Sequence, residues 1–196
     1  MRRLFASAVL SLVAGFSGCS GSRQELDLRS HADRSAYPEA PYGVDEGDTI
    51  ANYAFDTTGG PLLLHDLRSD LDDRLLLIFG VQTWPNACAA EADYLRGAYP
   101  DYHRRGVDVL GVLVEDMDTQ PTPDGARSYF ELLHEAPYRY AADDWSRAPS
   151  LGADLAAHGM DASPVNLVVD LDTMRITARL VGWSADALES HLYYVP

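Results

Sequence analysis

The sequence predicts an α/β fold with a mixed central sheet flanked by helices. Two apolar runs, at 75–81 and 107–114, have the unbroken hydrophobicity of strands that are buried on both faces of a sheet. An Ala- and Leu-rich stretch of helical character lies between them, which is the order of a parallel strand–helix–strand unit. Two later apolar segments are separated by a short turn at 171–174, which indicates an antiparallel hairpin.

Each further element is predicted from a local pattern. Strands are expected at 49–55, 75–81, 107–114, 138–142, 165–170 and 175–181. Helices are expected at 86–105, 122–135, 151–158 and 184–193. Pro85 favours a helix start, because a residue of the first turn has no intrahelical partner for an amide proton. Thr122 is suited to cap the second helix, and Gly159 to end the third.

The N-terminus has the order of a bacterial export signal. Arg2 and Arg3 precede an apolar run that ends at Phe16, and small residues follow before Cys19. The run is shorter than the roughly 20 residues that a membrane-spanning helix needs. Residues 16–19 resemble a lipoprotein box, so we expect 1–18 to be a signal peptide and Cys19 to be lipidated. Ordinary signal cleavage nearby is the alternative, and both Sec and twin-arginine export stay open.

The rest of the chain suits one domain on a tether. After the signal, 178 of the 196 residues remain, which is the size of a single domain. Residues 19–47 are polar and lack a sustained apolar period, so we expect a tether whose last part, 37–43, is extended and docked. The domain itself is expected at 48–196.

The charge of the chain excludes two classes of partner. The chain has 15 arginines, no lysine and 30 acidic residues; without its first 18 residues it keeps 13 arginines, and the net charge becomes −17. Such a surface repels phosphate backbones and anionic headgroups. We therefore expect no binding to nucleic acid, and membrane attachment only through a lipid on Cys19.

The cysteines and histidines limit the chemistry further. The chain has two cysteines, Cys19 and Cys88, so lipidation of the first leaves a single thiol and no internal disulfide. The six histidines are scattered, with no pair at helical metal spacing and no second cysteine nearby. We expect no metal site and no cofactor.

Two segments give the chain a family resemblance. The strand at 75–81 leads into Thr83-Trp84-Pro85-Asn86-Ala87-Cys88 and, three residues later, Glu91; Ser163-Pro164 precedes a later strand. With the order of the elements, these segments resemble the thioredoxin-like redoxin family. That family includes membrane-tethered periplasmic thiol-disulfide oxidoreductases and the AhpC/TSA-like peroxiredoxins. The resemblance covers residues 45 to 195 and implies a thioredoxin-like sandwich.

The resemblance also shows a departure from the family's active segment. That segment commonly reads Thr-Trp-Cys-x-x-Cys-x-x-Glu, so Pro85 stands where the attacking cysteine belongs and Cys88 has the resolving place. A first-position thiol is acidified by the helix N-terminus. Cys88 is expected to be less exposed and less acidic. Two interpretations of Cys88 stay open, an inert buried hydrophobe and a working thiol.

The remaining motif residues have roles that the resemblance implies. Ser163-Pro164 matches the family's cis-proline, which faces the active segment, so a cis bond is expected before Pro164. Trp84 is expected to pack on the domain and is also a candidate for substrate contact. The acidic residues Glu115, Asp116 and Asp118 follow a strand and are expected in a solvated loop, with a place near the site as the alternative.

Three functions fit the sequence. The first is a cell-envelope redoxin whose Cys88 forms mixed disulfides with a protein or small-molecule thiol or disulfide partner. The second is a catalytically inactive pseudo-redoxin that acts as a tethered binding module. The third is a one-cysteine peroxidase, but Thr83 lies five positions before Cys88 rather than three, and the arginine that such a site needs would have to be Arg147 or Arg175.

Overall fold

The computed structural model describes residues 34–83, 85–116, 119–144, 146–159 and 163–193. Within them one sheet is built from strands β1 (Ala54–Thr57), β2 (Gly60–Leu63), β3 (Leu75–Gln82), β4 (Val107–Glu115), β5 (Arg139–Asp143), β6 (Val165–Asp170) and β7 (Arg175–Val181). The helices are α1 (Leu64–Asp70), α2 (Asn86–Arg104), α3 (Pro123–Arg127), α4 (Leu151–Ala157) and α5 (Ala185–Tyr193). A π-helical segment, Ser128–Leu133, continues α3. No helix of the described residues is long and apolar enough to cross a membrane.

The sheet is mixed, as the sequence predicts. Its strand order is β2-β1-β5-β4-β3-β6-β7. The central strands β5, β4 and β3 run parallel, and the two outer strands on each side pair antiparallel. The strand β3 lies inside the sheet and is covered on both faces. Every residue from Leu75 to Val81 is therefore buried, which explains its unbroken apolar run.

Two hydrophobic cores lie on the two faces of the sheet. On one face α1, α4 and the segment around Ile50 pack on the sheet, contributing residues such as Leu67 and Leu155. On the other face α2, α5 and the π-helical segment contribute Cys88, Phe130 and Leu188 among others. The strands β3, β4 and β6 supply side chains to both cores. Because Cys88 belongs to the second core, the start of α2 lies directly against the centre of the sheet.

The first predicted strand differs from the structure. Residues 49–53 do not form a strand with a ladder; instead the Ile50 amide donates to the Met174 carbonyl, and Thr49 bridges Arg175. These residues are apolar because they cover the first core rather than because they pair in the sheet. The strand β1 begins later, at Ala54, and forms a tight hairpin with β2. The hairpin of β6 and β7 agrees with the prediction.

Packing on the domain begins ahead of residue 48. The guanidinium of Arg34 donates to the carbonyls of Leu71 and Asp73 at 2.7 Å each and pairs with Asp172 at 2.9 Å. In return, the guanidinium of Arg68 donates to the carbonyls of Arg34 and Ala36. We call this interlocked pair the arginine clasp. The expected signal peptide, Cys19 and the start of the expected tether lie outside the described residues.

Candidate functional site

The candidate site lies where β3 leads into α2. Pro85 holds the N-cap position of α2 with an extended backbone, φ −71° and ψ 127°, and its side chain supplies no hydrogen bond to cap the helix. Cys88 follows in the first turn, and its amide donates to the Pro85 carbonyl at 3.0 Å. The sequence-predicted thiol therefore lies at the N-terminal end of the helix, at the edge of the sheet where β3 ends.

Cys88 is fully buried in the second core. Its side chain is 0 % exposed, and its Sγ atom lies 3.1 Å from the Oγ atom of Ser163. Burial raises the pKa of the Cys88 thiol, and the hydrogen bond with Ser163 offsets this rise in part. The thiol is thus covered and favours its protonated form, which matches the expectation of a less exposed and less acidic cysteine.

The Ser163–Pro164 loop joins Cys88 to its neighbours. The peptide bond between these two residues is cis, as the resemblance implies. The Ser163 hydroxyl also accepts a hydrogen bond from the Gln82 amide at 3.2 Å, and the Pro164 carbonyl accepts one from the Gly182 amide at 2.8 Å. The loop therefore ties the thiol to the end of β3 and to the end of β7. The hydrogen bond between Ser163 and Cys88 was not predicted from the sequence, although Ser163-Pro164 was expected to face the active segment.

Glu91 is a buried acid beside the thiol. It lies one helical turn after Cys88, is 0 % exposed, and neither carboxyl oxygen has a hydrogen-bond partner among the described residues. Burial raises the pKa of Glu91 to about 8; the nearby Asn166 side chain offsets this in part, without the geometry of a full hydrogen bond. The sequence indicated Glu91 only as a motif position, since spacing alone does not distinguish a buried glutamate from a solvated one.

Two acidic residues border the site instead of lying in a solvated loop. Glu115 accepts a hydrogen bond from the Gln82 side chain, and Asp116 accepts one from the Thr83 hydroxyl at 3.0 Å. Glu115 belongs to β4 and both residues are half-buried, because the parallel pairing of β3 with β4 brings their ends together; they take the alternative place, near the site. Asp118 lies outside the described residues.

A cavity opens on the other side of the Pro164 loop. Its volume is about 300 Å³, and its walls include Asn166, Gly182, Trp183 and Ala187. Gly182 is the residue that donates to the Pro164 carbonyl, so the cavity adjoins the loop that holds the thiol. Asn166, which is 1 % exposed, also faces Glu91, so one side chain separates the cavity from the buried acid.

The other residues singled out from the sequence are not brought to the thiol. Trp84 lies outside the described residues. Arg147 pairs with Asp56 and Asp144, and Arg175 donates to the carbonyl of Gly47. Both arginines are thus engaged elsewhere, and neither supplies the arginine that a one-cysteine peroxidase needs. Thr83 also stays five positions before Cys88 rather than three.

In the part of the chain that the structure describes, one group of possible metal ligands comes together, at the opposite edge of the sheet. Donor atoms of Asp73, His103 and Asp108 lie within 4.8 Å of one another. However, the hydroxyl of Tyr99 donates to Asp108 at 2.8 Å, and the guanidinium of Arg139 lies 3.5 Å from its other oxygen. The Arg139 guanidinium is thus the cation that already pairs with Asp108. The sequence did not predict this cluster, because its members are far apart along the chain.

Comparison with known proteins identifies the fold. No protein-family model matches the chain, and no curated protein sequence does. Among solved structures, a Chlorobium tepidum protein provisionally named thiol:disulfide interchange protein DsbE has 18 % identity and a TM-score of 0.59, with 76 % of this chain and 96 % of that chain covered. The fold is thioredoxin-like.

Two further structures agree with this fold. The thioredoxin domain of a thiol-disulfide oxidoreductase from Bacteroides vulgatus has 14 % identity and a TM-score of 0.57, covering 76 % of this chain and 99 % of that chain. A thiol:disulfide interchange protein from a Bacteroides species has 14 % identity and a TM-score of 0.53, covering 69 % and 81 %. The thioredoxin-like sandwich inferred from the two short motifs is therefore confirmed.

Within the described residues, the thioredoxin-like fold carries a single thiol, which lies at the start of α2. Cys88 is the free cysteine of the described residues, and Pro85 stands at the first position of the helix motif. Reduction of a disulfide within this site alone is excluded, because that reaction needs two thiols. What the arrangement allows is one covalent bond to a partner sulfur, with Glu91 near enough to affect the proton of Cys88.

Proposed function

We propose that this protein is an exported, lipid-anchored redoxin of the thiol-disulfide oxidoreductase type that acts through Cys88 alone, by mixed disulfides with a partner. The observation that carries the proposal is the Cys88 sulfur at the start of α2, 3.1 Å from Ser163 and next to a cis proline. A likeness in fold to proteins named as thiol:disulfide interchange proteins supports the class of chemistry.

The reaction is a balanced exchange between a thiol and a disulfide. The Cys88 thiolate attacks one sulfur of a partner disulfide, a new S–S bond forms, and the second partner sulfur leaves as a thiolate that takes up a proton. A second thiol, supplied by the partner or by a small molecule, then attacks the mixed disulfide and returns Cys88 to its thiol form. The protein is neither oxidised nor reduced over the complete cycle.

Glu91 has the properties of the proton acceptor for this step. The raised pKa of about 8 keeps a fraction of its carboxyl groups ionised near neutral pH, although the side chain is buried. A base with a pKa near the working pH is the most effective in proton transfer. Glu91 lies one turn along the same face of α2 but is not hydrogen-bonded to Cys88, so the proton that leaves the Cys88 sulfur reaches Glu91 through an intervening water.

Access to the sulfur sets the rate of exchange. Because Cys88 is 0 % exposed, a partner reaches it only after the chain around the start of α2 moves aside. The cap of α2 offers little resistance to such a movement, since no side chain holds it by a hydrogen bond. Slow, opening-limited exchange is the expected behaviour.

The test measures the reactivity of Cys88 in folded protein. In a Cys19→Ser background Cys88 is the sole thiol, and its adduct with oxidised glutathione is followed by mass spectrometry with and without denaturing urea. We expect a slow adduct in the folded protein whose rate rises with pH, and none in Cys88→Ser. Reaction in urea together with complete inertness in the folded state would overturn the proposal.

A second function is favoured by the same burial, namely a tethered binding module without redox turnover. In this function Pro85 replaces the attacking thiol because none is needed, and Cys88 is a packing residue of the second core. The two functions differ in one outcome. Cell-envelope proteins that bind the full-length chain stay bound to Cys88→Ser if it is a binding module, and lose their covalent capture if Cys88 exchanges.

A further inference from the structure

A cluster of buried polar side chains lies behind Glu91, between α2 and the π-helical segment. Its members are Glu91, Tyr129, His134 and Tyr138, which are between 0 % and 5 % exposed. Both carboxyl oxygens of Glu91, both tyrosine hydroxyls and the Nε2 atom of His134 lack a hydrogen-bond partner among the described residues. We call these four residues the polar cluster.

Several unpaired polar atoms in one place indicate that a further molecule is bound between them. Each buried polar group without a partner costs about 1–3 kcal/mol, so native interiors rarely keep several together. Internal water is the usual solution, since one molecule both donates and accepts and makes about three hydrogen bonds. Hydroxyl, carboxyl and imidazole groups together suit water better than a cation or an apolar ligand.

The polar cluster reaches from the thiol to the surface. The Tyr129 hydroxyl lies within electrostatic range of Cys88 and of Glu91, and the Tyr129 ring centroid lies 4.7 Å from that of His134. On its other side the Nδ1 atom of His134 lies 3.1 Å from the carboxylate of Asp93, whose side chain is 56 % exposed. The polar groups thus form a series that begins at a buried acid and ends in solvent.

The π-helical segment places the tyrosine and the histidine in this series. The wider turn of this segment joins the amide of His134 to the carbonyl of Tyr129 at 3.2 Å, five residues back. Tyr129 and Phe130 are both buried, and His134 packs on the Tyr129 ring. In a regular α-helix, Tyr129 and His134, five residues apart, would lie on different faces.

We propose that the polar cluster holds internal water and is a proton relay, which carries protons between Glu91 and solvent by way of Tyr129, Tyr138 and His134 to Asp93. A proton enters at Glu91, each hydroxyl or water passes one on and receives one, and one leaves at Asp93. No bond other than O–H and N–H bonds changes, and no electrons move. The groups that face Glu91 are Cys88 from α2, Asn166 from β6, Tyr129 from the π-helical segment, and Tyr138 just before β5.

The relay depends on the proposed function only for its role in the reaction, where it would give the proton of the buried Cys88 thiol a route to solvent. Proton exchange at Glu91 itself does not depend on thiol exchange. Its test therefore uses Cys88→Ser protein, in which no thiol exchange takes place. The carbonyl stretch of protonated Glu91, identified by its loss in Glu91→Gln, is followed by infrared spectroscopy after transfer into deuterated water. The rate of its isotope shift reports proton exchange at Glu91.

We expect Tyr129→Phe, which removes only the hydroxyl, to slow this exchange about tenfold or more. His134→Gln and the exposed Asp93→Asn should also slow it, and Asp93→Asn avoids any change in the core. The matched control is Tyr140→Phe, because Tyr140 bonds to Glu131 on the surface and lies outside the cluster. Equal exchange rates in all variants, or a crystal structure with no ordered water within hydrogen-bonding distance of Glu91 and Tyr129, would overturn the relay.

Discussion

The sulfur of Cys88 lies 3.1 Å from the hydroxyl oxygen of Ser163, the residue that precedes the cis proline. This contact links the helix that carries the thiol to the strand that begins on the opposite side of the site. Because the hydroxyl is able to donate to a thiolate, it is the feature of the site that most directly lowers the pKa of Cys88 against the effect of burial.

Ser163→Ala should raise the pKa of Cys88 further. A hydrogen bond of this kind is worth about 1 kcal/mol, so the rise should be within about one pH unit. The pH dependence of Cys88 alkylation in the Cys19→Ser background measures it. Ser69→Ala is the matched control, because Ser69 is exposed and bonds only to a helix carbonyl. An unchanged alkylation profile in Ser163→Ala would show that the contact does not affect the thiol.

Glu91 should make the stability of the protein fall with rising pH. The pKa of Glu91 is about 8 in the folded state against an ordinary 4.5, so the folded state holds more protons between these values. The free energy of unfolding therefore decreases across this window by roughly 1.4 kcal/mol per pH unit, while below it the stabilisation is fully present.

Glu91→Gln removes this titration, so we expect a flatter profile of urea midpoints between pH 5 and pH 8, in the window that the Glu91 pKa defines. Glu46→Gln, a change at an exposed acid, serves as the comparison and should keep the wild-type slope. Parallel profiles for wild type and Glu91→Gln would mean that Glu91 is already ionised in the folded protein.

Pro85→Cys should restore an internal disulfide. Position 85 begins the turn that brings its carbonyl within 3.0 Å of the Cys88 amide, so its side chain starts close to the sulfur. A thiol there also gains from the helix N-terminus, which lowers its pKa. Thiol titration after oxidation, in the Cys19→Ser background, should find no free thiol. Asn86→Cys, one residue out of register, should keep both thiols free, and the same result for Pro85→Cys would contradict the inferred register.

Gly111→Ala tests the packing behind the polar cluster. A Cβ atom at position 111 would lie 2.6 Å from the Phe130 ring, so the π-helical segment must shift. We expect a loss of about 1–3 kcal/mol in the free energy of unfolding, measured with urea. Gly97→Ala is the counterpart, since a Cβ atom there meets nothing within 4 Å and lies in α2. It should stabilise the protein by about 0.5–1 kcal/mol.

The parts of the fold with strong local signals could be predicted from the sequence. The unbroken apolar runs of β3 and β4 and the hairpin of β6 and β7 each produce a pattern within one segment. The strand β2 and the helix α1 do not. The helix α1 is short and has no side-chain cap, and it is held by contacts from elsewhere, such as the Leu64 amide with the Tyr53 carbonyl at 3.1 Å.

The candidate site likewise has a part that could be predicted from the sequence and a part that could not. The positions of Pro85, Cys88 and Pro164 follow from short motifs, because such residues keep their spacing in the chain. The burial of Glu91 and the convergence of Tyr129, Tyr138 and His134 on it do not, since they depend on how α2 and the π-helical segment lie on the sheet. Acidic residues are mostly exposed and tyrosines and histidines are intermediate, so the sequence pattern gives no reason to expect these four residues together in the interior.

The arginine clasp fixes the place where the N-terminal segment joins the domain. Arg34 binds carbonyls just before β3, whereas Cys88 lies just beyond the far end of that strand, which at eight residues is about 25 Å long. With a lipid on Cys19, the residues between it and Arg34 span at most roughly 50 Å, and they reach the domain at the edge opposite the thiol. If Cys19 carries the lipid that we propose, the anchor is joined to the domain at the end of β3 that is remote from the thiol.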